Sequence, residues 1–183
     1  MRSFYDIDQQ DVIVGIGGDW DTFALQNDSP SAQAAEVTGY PLWDSVEGFE
    51  TMSYLNALFF AVRRKGIPLN LRYRCDSPKM ARLFNMTISP LRENGLRVEH
   101  VQIAPGPHMQ HQTAVDFSLH YSPKKCSVCC AFLIGDEWVD PFTLPTTVDF
   151  PKGVGLCEHC KKEALNAIAQ HDTDLHGKVI PFR

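Results

Sequence analysis

Apolar positions along the chain change period several times, and each change marks an element. From Glu50 to Lys65, the residues Met52, Leu55, Leu58, Phe59 and Val62 recur at helical spacing, which predicts an amphipathic helix. Arg63, Arg64, Lys65 and Gly66 close it with the basic last turn and glycine cap that helix ends favour. After Pro68 the period falls to two. Leu69, Leu71 and Tyr73 alternate with Asn70, Arg72 and Arg74, the pattern of a half-buried strand. A second strand is expected over Ala81 to Leu91. Asn94-Gly95 then supplies a hairpin signal, and Leu96, Val98, Val101 and Ile103 carry a third strand.

Upstream, Val12, Ile13, Val14 and Ile16 are strand-like but broken by Gly15, Gly17 and Gly18, with Trp20 and Phe23 beyond. The GIGGDW stretch lacks the full glycine fingerprint of a nucleotide loop and is expected to be a turn or bulge. A short helix over Ser31 to Val37, capped by Ser31 and ended by Gly39, precedes a tight turn and one helical turn in GYPLWDSV. The order predicts an α+β domain over residues 1–104, an antiparallel sheet with flanking helices. Residues 105–125 read as a linker, with Val115, Phe117 and Leu119 leading into a short strand or helix. His108 and His111 stand three apart there, a spacing that suits a metal site, but in a Pro- and Gly-containing linker they are expected to be exposed.

The 183 residues are 44% apolar, enough for one medium core with an appendage. The net charge is −5, and the acidic residues are spread through the chain, which argues against a surface built for phosphate backbones. No basic stretch leads into a long apolar run near the start, and no segment reaches the roughly 18 apolar residues of a membrane span, so a soluble, cytoplasmic protein is expected.

Cysteine changes the picture most. Five of the six cysteines fall between positions 126 and 160, in a sequence without a secretion signal, where metal binding is favoured over a disulfide framework. Cys126-Ser-Val-Cys129 and Cys157-Glu-His-Cys160 are C-x-x-C pairs separated by 27 residues. Two such turns, each aiming two thiolates at one ion, complete a tetrahedral shell, and four thiolates favour zinc or iron, with zinc the usual structural choice. Residues 126–183 are therefore expected to be a zinc-binding module. It would hold a hairpin over Phe132 to Val139, turning at Gly135-Asp136, and a helix over Lys161 to Gln170 with Leu165 and Ile168 inward. A filled four-cysteine shell leaves no open position for catalysis. Cys130 either replaces Cys129 as a ligand or sits free beside the ion. His159 is expected to face solvent.

The N-terminal residues Trp20-Asp-Thr-Phe23-Ala24 with Asn27, Gly39-Tyr-Pro-Leu42-Trp43-Asp44, the helix end VRRKGIP, the stretch from Arg72 to Pro78 and Met86 to Leu91 resemble a bacterial PAS-like sensory domain. Together with the two cysteine pairs around Gly135-Asp-Glu-Trp138-Val139, they are similar to a family in which such a domain precedes a four-cysteine extension. The resemblance implies a small ligand or cofactor between helices and sheet, or dimerisation, and passage of a signal to a partner. It brings no specific cofactor, because the long helix has no histidine and no flavin-adduct cysteine motif is present.

Trp20, Phe23, Trp43, Phe59, Tyr73 and Cys75 are the candidate pocket residues, set against the plainer expectation that large aromatics form core. Cys75 beside Arg74 is a candidate reactive thiol, although a strand cysteine more often behaves as a small buried hydrophobe. Arg72, Arg74 and Arg82 are candidates to share a sheet face. Asp44 is expected to cap a helix or hold a loop. No carboxylate pair, Ser-His-Asp order or phosphate loop stands out, so no enzyme mechanism is assigned. The leading expectation is a sensory or signalling module with a structural zinc ion and a protein partner or a second copy of itself. The alternatives are a nucleic-acid-binding regulator, which the acidic balance disfavours, and a thiol-based redox sensor in which oxidation of Cys130 and the thiolate cluster releases zinc.

Overall fold

The computed structural model describes residues 1–76, 80–108, 124–143 and 151–173. The expected α+β class holds: an antiparallel sheet, four α-helices and a four-cysteine cluster are present among these residues. The sheet is larger than the three-stranded meander read from the sequence. Strands β1 (Arg2–Ile7), β2 (Ile13–Gly18), β3 (Leu69–Arg74), β4 (Met80–Pro90) and β5 (Leu96–His108) lie in the order β2-β1-β5-β4-β3, all neighbours antiparallel. β1 has no counterpart in the sequence reading, yet it sits in mid-sheet and pairs with both β2 and β5.

The glycine stretch is part of strand β2 and not a turn, but the expected irregularity is there: β1 pairs Asp6 with Gly15 and then Ile7 with Ile13, so the register shifts at Val14 as in a β-bulge. Gly17 faces the Phe4 ring across the ladder, where a Cβ would come within 2.6 Å of it. Gly18 takes φ +72° beside the Arg2 carbonyl, which ends the strand and releases the chain into α1 (Trp20–Gln26). A 3-10 turn over Pro30–Ala32 precedes α2 (Ala34–Val37), so Ser31 lies inside the turn and caps nothing. Leu42–Ser45 is a single 3-10 turn, as expected. Asp44 in that turn is exposed and makes no cap.

α3 (Phe49–Lys65) follows its periodicity closely and stops at Gly66 in the left-handed conformation. Its buried residues Leu58, Phe59 and Val62 pack on one sheet face, against Tyr5, Ile7, Leu69, Met86, Ile88 and Val98. The β4–β5 turn runs through Glu93 and Asn94, both at positive φ, so the Asn-Gly signal marks the right place in a longer turn.

The cysteine-bearing segment forms a second sheet from β6 (Lys124–Cys126), β7 (Phe132–Ile134), β8 (Glu137–Val139) and β9 (Gly153–Gly155), in the order β8-β7-β6-β9. The β7–β8 hairpin turns at Gly135, as its pattern predicts. α4 (Glu158–Thr173) starts before Cys160 and buries Ala164. Leu165 is 66% exposed, opposite to expectation, because the inward face follows Cys160 and Ala164 and leaves Leu165 one step round the helix. Ile168 does pack on the core. The same hydrophobic cluster contains Cys126, Leu156, Cys157, Cys160 and Ala164 together with the sheet and α3. His111 and the alternating residues Val115, Phe117 and Leu119 lie outside the described residues, and so does the side chain of His108. No helix among the described residues is long and apolar enough to cross a membrane.

Candidate metal centre and the aromatic row beside it

Cys126 ends β6, and the chain turns at once: the Cys130 amide donates to the Cys126 carbonyl at 3.0 Å, and the Cys126 amide to Ala131 at 2.8 Å. Cys130 takes φ +59° to close this turn, which leaves Cys129 inside it. The second pair is delivered by β9, which runs parallel to β6 with Cys126 opposite Gly155. Leu156 follows, and Cys157 and Cys160 flank the first turn of α4. The 27 residues between the pairs thus hold a hairpin and a returning strand, which is why they exceed the usual ribbon length.

One ligand atom from each of Cys126, Cys129, Cys157 and Cys160 lies within 4.8 Å of the others. The Cys129 and Cys157 sulfurs are 3.7 Å apart, close to the ~3.8 Å edge of a tetrahedron with metal–sulfur bonds of ~2.3 Å. The Cys157 amide points at the Cys126 sulfur at 3.5 Å and the Cys160 amide at the Cys157 sulfur at 3.4 Å. Such N–H donors and the positive end of α4 stabilise thiolate charge. Cys126, Cys129 and Cys160 compete for protons: hydrogen bonds from Cys129 and Cys160 push Cys126 far down, while the hydrogen bonds to Cys126 drive Cys160 far up and raise Cys129. A bound cation resolves that competition by taking all four as thiolates. Donor set, spacing and burial fit a closed metal site.

Cys130 is outside this set. It is 2% exposed and its thiol donates to the Arg74 carbonyl at 3.3 Å, so it ties the knuckle to β3. Further ties surround it. The Arg74 amide donates to the Val128 carbonyl at 2.7 Å, and the Arg74 guanidinium bridges Asp76 and Asp140 and lies 4.8 Å over the Phe142 ring. At the other end of the site, Glu50 in the first turn of α3 accepts from the Leu156 amide at 3.2 Å and pairs with Lys161 at 3.0 Å. Thr51 donates to Ser127 at 2.9 Å. Gly48 sits where any Cβ would come within 2.7 Å of Val154. His159 is exposed, as expected.

The candidate pocket residues fall into two groups. Trp43 and Phe59 are core neighbours, with ring centroids 5.9 Å apart and the Trp43 indole donating to Asp11. Trp20, Phe23 and Tyr73 belong to a continuous row on the inner sheet face: Trp20, Tyr5, His100, Tyr73, Phe84 and Phe23, with successive centroids 5.4–5.9 Å apart. Trp20, Phe23, Tyr73 and His100 are only partly buried, unlike Phe59 at 0%. His100 Nδ1 and the Tyr73 hydroxyl are 2.9 Å apart. Burial pulls the His100 pKa down to about 4, so the ring is neutral at pH 7. Tyr5, His100 and Phe84 escaped the sequence reading, although alternation with Ile7, Val98 and Met86 places all three on the inner face.

Cys75 follows β3 and burial raises its pKa, so Arg74 does not activate it; Arg74 is spent on Asp76 and Asp140. The three arginines do not share a face. Arg72 and Arg74 alternate with the inward residues of β3, whereas Arg82 turns toward α1, bonding Asn27 and lying 4.9 Å over the Phe23 ring. No family model matches this chain, and a search of the curated proteins returns no match to it.

Proposed function

We propose that the chain is a sensory or signalling module whose PAS-like domain takes a small ligand on the inner sheet face and whose four cysteines hold a structural zinc ion. The observation that carries this reading is the partly buried aromatic row between α1 and the sheet, which passes through β3, the strand bonded to the cysteine knuckle. Tyr73 belongs to that row and Arg74, next along β3, bonds Val128 and Cys130. A change at the row therefore has a short route to the knuckle, one peptide bond to Arg74 and then its hydrogen bonds to Val128 and Cys130. The PAS-like resemblance assigns ligands to the same place, between helices and sheet.

Zinc is preferred over iron on chemical grounds, as a redox-silent ion suited to a closed four-thiolate shell. Protein purified without chelator should carry one zinc per chain and no charge-transfer colour. Native mass spectrometry and an absorption spectrum read both, together with any co-purifying ligand. A ligand on the aromatic row should quench tryptophan fluorescence, and Trp20→Phe should remove most of that quenching. Quenching that survives in Trp20→Phe but not in Trp43→Phe contradicts the assigned place.

A further inference from the structure

β3 is an outer strand, so one side of its backbone has no ladder within the five-stranded sheet. Arg74 shows which side, since its amide and carbonyl turn away from β4 to meet Val128 and Cys130. Alternate residues of a strand aim their backbone groups the same way, so the amides and carbonyls of Asn70 and Arg72 continue that line outward. Among the described residues nothing pairs with them. They open onto a groove of about 540 Å³ between β3 and the α4 residues His159, Glu163 and Ala167. Tyr54, 9% exposed, also lines it, and its hydroxyl has no hydrogen-bond partner among the described residues.

Two open rungs beside a helix, with a buried hydroxyl in the same groove, suit an extended main chain better than a compact ligand. Main-chain bonds to the free edge supply affinity and alternate side chains supply register. We propose that the β3 edge binds an extended segment of a partner protein, which continues the ladder that Val128 begins. Arg72 defines its chemistry. This residue is exposed, makes no ion pair among the described residues and stands on the outer sheet face at the middle of the open edge. The partner residue opposite it is acidic. The neighbouring partner residues, pointing to the other face toward Leu71, Tyr54 and Ala167, are apolar. The site depends on the folded knuckle and not on a ligand at the aromatic row, so it stands or falls separately from the sensory reading.

The test uses the full chain with its metal. Peptides selected from a displayed random dodecapeptide library are synthesised, together with versions N-methylated at each backbone position in turn. The expected result is a two-residue periodicity, in which methylation at alternate positions abolishes binding and methylation between them is tolerated. Binding should slow amide exchange of Asn70 and Arg72 by at least about tenfold. Arg72→Glu should weaken it by about tenfold or more with metal content unchanged. The methyl scan needs no variant of the protein, so a misfolded Arg72→Glu does not remove the test. Failure to select any binder, slowed exchange confined to other residues, or uniform tolerance of methylation overturns the proposal. Asn70 and Arg72 amides already protected in the free chain also overturn it, because a segment of this chain then covers the edge.

Discussion

His100 enters the sequence as one polar residue in an alternating strand, and the fold gives it two ring neighbours and a phenol at hydrogen-bond distance. Its folded pKa of about 4 lies below the ordinary value of 6.5. The unfolded chain therefore binds a proton first as pH falls, and stability is lost between about pH 6.5 and 4. The full loss is up to ~3 kcal/mol, and His100→Gln should flatten this part of the denaturation profile. A profile of wild-type steepness in that variant would assign the acid sensitivity elsewhere. Arg74 and Asp76 give a second test. The Asp76 side chain is 2% exposed, so Arg74→Met leaves a nearly buried carboxylate without its cation and should cost roughly 3 kcal/mol or more. The double variant with Asp76→Leu should recover at least half of that in urea denaturation. Neither role is legible in sequence: His100 meets Tyr73 from 27 residues away, and although Asp76 is only two residues from Arg74, its burial comes from folding, as does the second partner Asp140, 66 residues from Arg74.

Elements were legible where a single period runs long enough to average over exceptions. α3 lies where its period places it, whereas the β7–β8 hairpin, with three residues in each strand, was marked by the Gly135-Asp136 turn between apolar flanks. β1 was missed although its residues alternate, since six residues at the chain start offer few repeats. The β2 glycines signal close approach, which a turn, a bulge and a strand facing the Phe4 ring all require, and β2 holds the last two. Gly17→Val should accordingly destabilise by ~1–3 kcal/mol through overpacking against Phe4. Phe4→Ala in the same chain should relieve part of the strain, and an unrelieved loss would point to the strand backbone instead. The α4 face shows the complementary lesson. Cys160, buried within the four-cysteine cluster, fixes which side turns inward, so hydrophobicity alone put Leu165 on the wrong side.

At the scale of the molecule, the two cysteine pairs were the most legible feature, because C-x-x-C spacing is itself the pattern that lets four thiols converge within 4.8 Å of one another. What the sequence hid is that the knuckle is not an appendage on a tether. Its cysteines belong to the same apolar cluster as the main sheet, and β3 and α3 both bond to it. Removing the metal should therefore be felt across the whole chain. Loss of even ~4 kcal/mol would lower Tm by roughly 10 °C in a domain of this size. Cys160→Ser should reproduce the effect of a chelator, while Cys130→Ser should leave metal content unchanged. The most direct test of the central claim is X-ray absorption at the metal edge of protein purified without chelator. Four sulfur ligands at ~2.3 Å around one zinc per chain are predicted. A metal-free protein with its cysteines paired as disulfides, or a shell containing nitrogen or oxygen, would contradict it.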